Sequence, residues 1–178
     1  YTPPEAPFEA HQEMLDTLGF ARGIFIQPSA YGDDPTCILD AVARAPDHRR
    51  AVGVAGPGTP TATLIDYAAR GMAGLRFVEL ISARYAGRPK GASGFAELME
   101  LAPAMREAGL QPHLFAKTET FVEWMPQLLT LGIPLVIDHM AAAGPSDIRA
   151  NDPRLDAILA PLREGRLWMK LTVVRRST

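Results

Sequence analysis

The sequence predicts an α/β protein built on a parallel sheet, and three observations carry that prediction. Six short apolar runs alternate with six segments whose apolar residues recur at a spacing near 3.6. Glycine stands between a helical pattern and the next apolar run at Gly19, Gly71, Gly109, Gly132 and Gly165, where a left-handed residue would close a helix. The apolar runs are also close to continuous, as strands covered on both faces require.

Taken in order, Met14, Leu15 and Leu18 share one face of a helix over residues 6–18, and Gly19 separates it from a strand at 23–29. Asp34-Pro35 opens a helix at 36–45 before a strand at 51–55, since proline is tolerated in a first turn. Pro60 opens a helix at 61–70, and Gly71 leads into a strand at 74–80. Leu98, Leu101, Met105 and Ala108 set the face of a helix at 95–108, with a strand at 112–116 after Gly109. A helix at 121–131 and Gly132 precede the strand at 134–140, whose apolar run stops abruptly at Asp138-His139. Pro153 opens the last helix, 153–163, and Gly165 precedes a strand at 167–174. No linker, repeat or low-complexity tract interrupts the alternation, so residues 1–178 are read as one domain. The pattern fits either an open doubly wound sheet or part of a (β/α)8 barrel, for which a complete ring typically takes about 250 residues.

Bulk composition excludes several classes. With 178 residues, 47% hydrophobic and 21% charged, the chain can build a substantial core. A net charge of -2 gives no electrostatic reason to expect nucleic acid or an acidic membrane. Cys37 is the single cysteine, so neither an internal disulfide nor a cysteine-rich zinc site can form, which fits a cytoplasmic protein. No apolar run approaches the roughly 20 residues of a membrane span. The sequence opens at Tyr1 without an initiator methionine and closes at Thr178 just after a strand-like run, so both ends are read as cut.

The chemistry is expected at the carboxyl ends of the strands. Residues two apart share a strand face. Inward orientation of the sets Phe25/Gln27/Ser29, Arg76/Val78, His113/Phe115/Lys117, Leu135/Ile137/His139 and Trp168/Lys170/Thr172 would ring one cavity with Gln27, Ser29, Arg76, Lys117, His139 and Lys170. His139 is either a working imidazole, able to bind metal, polarise a carbonyl or carry a proton, or a satisfied histidine at a strand–loop junction. Asp138 is expected to face away from it and to take a structural role. Arg76, inside an apolar strand, needs an anionic partner: a substrate carboxylate, or Glu79 or another core acid. Ser29 could donate to a substrate or cap a turn. His11 and His48 read as surface residues. There is no Gly-x-Ser-x-Gly elbow, Gly56-Pro-Gly58 is a turn rather than a phosphate loop, and His-x-His or paired strand-end acids are missing from the sequence.

Several segments together resemble the amidohydrolase-related TIM-barrel hydrolases, particularly the 2-pyrone-4,6-dicarboxylate lactonase-like group. They are Tyr1-Thr-Pro-Pro, residues 18–29, Tyr31-Gly32, residues 71–77 (Gly-Met-Ala-Gly-Leu-Arg-Phe), residues 136–140 (Val-Ile-Asp-His-Met) and residues 168–171 (Trp-Met-Lys-Leu). The resemblance implies a (β/α)8 TIM barrel of which these are the second to seventh strands. The family's first strand, with a His-x-His pair, would precede Tyr1, and its last, with a catalytic aspartate, would follow Thr178. It implies that His139 polarises a lactone carbonyl, and that Tyr1, Ser29, Arg76 and Arg176 contact substrate. Arg175 is an alternative register for Arg176. The chain departs from the family at Ser82 and Ala142, where arginines are expected (Arg84 lies near Ser82), and at Phe115, which replaces a tyrosine. Lys117 is read as a different contact for an anion.

The resulting expectation is a lactone hydrolase acting by activated water on a small acidic or sugar-acid substrate, as a monomer or homo-oligomer. It needs either no cofactor or one divalent metal, zinc, with His139 as the ligand. The competing readings are a zinc-dependent decarboxylase or hydrolase of the same superfamily, and a non-catalytic carboxylate-binding module.

Overall fold

The computed structural model describes residues 5–80, 91–142 and 151–172. Tyr1, Arg175 and Arg176 lie outside the described residues, as do Ser82 and Arg84.

Six strands, β1 (Gly23–Ile26), β2 (Arg49–Gly53), β3 (Met72–Val78), β4 (Gln111–Phe115), β5 (Leu135–Ile137) and β6 (Leu167–Met169), form one parallel sheet. They lie in the order β1-β2-β3-β4-β5-β6. A doubly wound sheet reverses its strand order at a switch point, whereas a barrel adds each strand beside the last. The uninterrupted order therefore selects the barrel, and the sheet curls into a half-barrel. The helices are α1 (Phe8–Leu18), α2 (Thr36–Ala43), α3 (Thr61–Ala69), α4 (Phe95–Ala108), α5 (Thr118–Leu128) and α6 (Asp156–Arg163).

The core lies between helices and sheet. Leu75, Phe77, Leu114, Leu135, Ile137 and Leu167 pack with Leu64, Leu98, Met105, Phe121 and Leu128 of the helices in one buried cluster. Phe95 sits 5.8 Å from both Phe121 and Trp124, the latter edge-on, an arrangement aromatic rings prefer. Gly19 and Gly109 close α1 and α4 at φ 74° and 71°, as their positions predict.

Strand ends differ from the expected ones for local reasons. β2 begins two residues early because Arg49 is buried and held: its guanidinium donates to the carbonyl of His48 at 2.9 Å and to the Gln12 side chain on α1. α5 starts at Thr118 rather than 121. The last helical segment opens as a 3-10 turn, Pro153–Leu155, with Asp152 accepting from the amide of Arg154 at 2.9 Å. β5 ends at Ile137, so His139 lies beyond the strand.

That early end matters because the backbone then turns left-handed. His139, Met140, Ala141 and Ala142 have φ of 54°, 53°, 57° and 54°. Four consecutive positive values at residues with a Cβ are unfavourable, roughly 1–2 kcal/mol each, and single residues are the usual limit. Three bonds hold the turn. The Thr118 hydroxyl donates to the Ala141 carbonyl at 3.0 Å, the Ala141 amide to the Asp138 carbonyl at 3.2 Å, and the Met140 amide to the Lys170 carbonyl at 3.2 Å.

Candidate active site

Alternation assigns the strand faces once the core is known. Leu135 and Ile137 face the helices, so Val136 and Asp138 face the barrel interior. The same logic turns Arg76 of β3 inward, between core residues Leu75 and Phe77, and aligns it with His113 of β4 by register. The expectation that Leu135, Ile137 and His139 form an inward set is therefore overturned. His139 still reaches the interior edge because the left-handed turn breaks the strand's alternation. Gln27 leaves the predicted ring as well. Phe25, on its face, packs 4.7 Å from His11 and 6.3 Å from Phe8 of α1. The Gln27 amide donates to the carbonyls of Gly32 and Asp34 at 2.8 and 3.1 Å, tying the following loop. His11, read as a surface residue, is thus packed beneath β1, with its Nδ1 buried.

Asp138 anchors the interior. Only 2% exposed, it accepts a hydrogen bond from Arg76 Nε at 3.1 Å on Oδ2, and Lys170 Nζ lies 2.6 Å from its Oδ1. The core acid that Arg76 requires is therefore Asp138, not Glu79, whose carboxylate accepts the Phe95 amide at 2.7 Å and caps α4. The structural role expected of Asp138 takes the form of a carboxylate paired with two strand-borne cations. Alternation sets Asp138 on the face of Val136, opposite Leu135 and Ile137, but pairing it with Arg76 and with Lys170, 32 residues away, needs the strand order and has no local signal.

His113 lies beside this cluster, 4% exposed, with Nδ1 buried and unpartnered among the described residues. Burial first, and then the nearby Lys170 charge, depress its pKa from 6.5 to about 4, with Asp138 opposing and Arg76 reinforcing. The imidazole is neutral at physiological pH. Gly74 makes room for it: a Cβ there would lie 2.8 Å from His113 Cδ2 and 2.3 Å from the Gln111 carbonyl.

His139 is oriented from two sides. Its Nδ1 is 2.9 Å from the Thr172 hydroxyl, and its ring meets Phe115 edge-on at 5.0 Å between centroids. A second neighbour of Phe115 is Arg76, whose guanidinium carbon lies 5.4 Å from the ring centroid. Imidazole and cation cluster thus share one aromatic partner at the carboxyl-terminal edge. Lys117 is exposed at that edge, immediately before α5. Ser29 is half-buried and opens the 3-10 turn Ser29–Tyr31, where its carbonyl accepts the Gly32 amide at 3.2 Å. Both are at strand ends, and neither makes a side-chain bond to His139 or Arg76 among the described residues.

A metal would need several donors at one place. Among the described residues no three His, Cys, Asp or Glu side chains converge, and the acid next to His139 is committed to two cations. These residues do not by themselves fit a metal centre. Nor is any described helix long and apolar enough to cross a membrane.

A half-barrel with an imidazole and a cation cluster at the carboxyl edge of its strands defines an α/β-barrel protein, and the family model agrees. The chain belongs to the amidohydrolase family, whose model matches residues 1–178. It is 27% identical, over 97% of its length, to a 4-sulfomuconolactone hydrolase of Hydrogenophaga intermedia, of which it covers 55%. It is 26% identical, over 79% of its length, to a 2-pyrone-4,6-dicarboxylate hydrolase of Comamonas testosteroni, of which it covers 44%. The chain thus spans about half the length of these curated relatives. A crystal structure from Acinetobacter baumannii, described as a probable 2-pyrone-4,6-dicarboxylic acid hydrolase with citric acid bound, superposes with a TM-score of 0.79 at 24% identity. That match covers 99% of this chain and 64% of the other, and it supports the fold.

Proposed function

We propose that the protein is a lactone hydrolase that opens the ring of a small acidic substrate with activated water. The observation that carries the reading is the placement of His139 beside the Arg76–Asp138–Lys170 cluster through their shared neighbour Phe115. The relatives named as lactone hydrolases support the same class.

In this mechanism the lactone carbonyl lies against His139, with the imidazole already fixed by Thr172 and Phe115. Water adds to the carbonyl carbon, and negative charge grows on the carbonyl oxygen. A pre-oriented imidazole donor at that oxygen stabilises the charge without reorganisation during the reaction. Arg76 orients the substrate through an acidic group, since a guanidinium matches a carboxylate bidentately. Ser29, Lys117, Tyr1 and Arg176 complete substrate binding in this reading. Asp138 is unsuited to deprotonate the water, because giving up its charge would leave two partly buried cations without their partner. That role falls to the aspartate that the resemblance places on the family's last strand.

His139→Ala is expected to lower kcat/KM for lactone hydrolysis by about 10²–10⁴-fold while circular dichroism and the unfolding midpoint stay close to native. Near-native turnover in that variant would rule out the assignment. Assay after exhaustive chelation separates the zinc reading: activity lost and restored by stoichiometric zinc would make His139 a ligand, whereas unchanged activity would leave it as the electrophile.

A further inference from the structure

Past the end of β6 the chain follows the left-handed turn that carries His139. The Lys170 amide donates to the Ile137 carbonyl at 2.9 Å, and the Lys170 carbonyl accepts the Met140 amide at 3.2 Å. Both backbone groups of residue 170 are thus held, one by the end of β5 and one by the turn. That anchorage delivers Thr172, two residues on, to the imidazole, where its hydroxyl lies 2.9 Å from His139 Nδ1. Phe115 meets the same ring edge-on at 5.0 Å between centroids. An apolar neighbour fixes the tilt of the ring but does not choose which nitrogen carries the proton. The hydroxyl can make that choice.

What stands at Nδ1 decides what an imidazole does at Nε2. A carboxylate can only accept there, so it holds the proton on Nδ1, favours the imidazolium and makes Nε2 a base. A hydroxyl can donate as well as accept, and it brings no negative charge. The acid next to His139 in sequence, Asp138, is turned to the two cations instead, 3.1 Å from Arg76 Nε and 2.6 Å from Lys170 Nζ. Nδ1 therefore meets a neutral hydroxyl while the adjoining carboxylate is committed elsewhere. A hydroxyl donating to Nδ1 puts the ring proton on Nε2, where the imidazole is then a hydrogen-bond donor and not a base. A carbonyl oxygen gathering negative charge calls for that donor.

We infer that Thr172 is a positioning residue that donates to His139 Nδ1, sets the plane of the ring and keeps its proton on Nε2. The catalytic half of the inference rests on the lactonase reading; the hydrogen bond and the tautomer do not. Thr172 is half-buried and lies beyond the last strand, so loss of its hydroxyl leaves the core intact.

The test reads the ring nitrogens directly by nuclear magnetic resonance on protein carrying isotopically labelled histidine, with the His139 signals assigned by their loss in His139→Gln. Two-bond proton–nitrogen correlations in the native protein should show Nε2 protonated and Nδ1 unprotonated but hydrogen-bonded. Thr172→Val keeps the shape and removes the donor, so the Nδ1 resonance should move to the position of an unbonded nitrogen, and Thr172→Ser should keep it native. A proton on Nδ1 in the native protein, or an Nδ1 resonance that Thr172→Val leaves in place, would overturn the inference. Kinetics on a lactone bearing a free carboxylate test the catalytic half. Thr172→Val should lower kcat about tenfold or more while KM stays within about twofold, and Thr172→Ser should restore kcat. Unchanged kcat in Thr172→Val, or a loss confined to KM, would overturn that half. If the native protein hydrolyses no lactone but the nitrogen signature holds, the lactonase reading fails and the tautomer stands.

Discussion

Positive φ at His139, Met140, Ala141 and Ala142 places the strain of this fold at the residue proposed to do its chemistry. Strain persists only where surrounding structure over-determines it. Here the cross-links are the Thr118 hydroxyl and the amide bonds to Asp138 and Lys170. Ala142 sits at the end of the turn, and its Cβ is a source of the cost. Ala142→Gly removes that Cβ at φ 54°. It should raise unfolding stability by about 0.5–1 kcal/mol, net of the extra freedom glycine gives the unfolded chain. Thermal unfolding would show a midpoint higher by a few degrees; a lower midpoint would mean that the left-handed turn is not the populated conformation.

At the scale of elements, α5 and β5 are joined through this turn. Thr118, buried at the start of α5, donates to Ala141 and so holds the segment that aims His139 at Thr172 and Phe115. Thr118→Val keeps the shape and removes the donor, leaving a buried carbonyl short of a partner. A stability loss of about 1–2 kcal/mol is expected. A loosened His139 should lower kcat more than it raises KM, and Thr118→Ser should restore both. A change confined to KM would place Thr118 outside the positioning of His139. The helices around this joint were legible from apolar spacing and from glycines such as Gly19 and Gly109. Strand order was not, because a run of alternating βα units writes the same pattern for an open sheet and for a barrel. Nor was the inward face, since runs such as residues 134–137 are apolar on both sides and alternation alone cannot say which side meets helices. The turn itself had no signal: His-Met-Ala-Ala contains no glycine to mark a left-handed backbone. His139 and Arg76 were recognisable as isolated polar residues in apolar strands. The Asp138–Lys170 pairing needed two strands brought together.

Across the whole molecule, the curled sheet buries its charge as well as its apolar surface, and this ties stability to pH. His113 is neutral in the fold with a pKa of about 4, whereas in the unfolded chain it returns to the ordinary 6.5. Between these values the unfolded state binds more protons, so falling pH favours unfolding. Above 6.5 neither state is protonated and the effect vanishes; below about 4 both are, and the loss is complete. A 4%-exposed histidine with this shift corresponds to a loss on the order of 3 kcal/mol across the window. Carboxylates act lower. Asp152, held at about 2 chiefly by the Arg154 side chain, stabilises the fold above its usual 3.8 and loses that contribution as pH falls toward 2. The two effects are therefore separable by pH. Urea unfolding of the native protein and of His113→Asn at pH 7, 5.5 and 4 should give stability curves that converge as pH falls, with the native protein losing on the order of 3 kcal/mol more than the variant. Parallel curves would show that His113 titrates normally. Its ring would then be open to solvent rather than packed against Gly74.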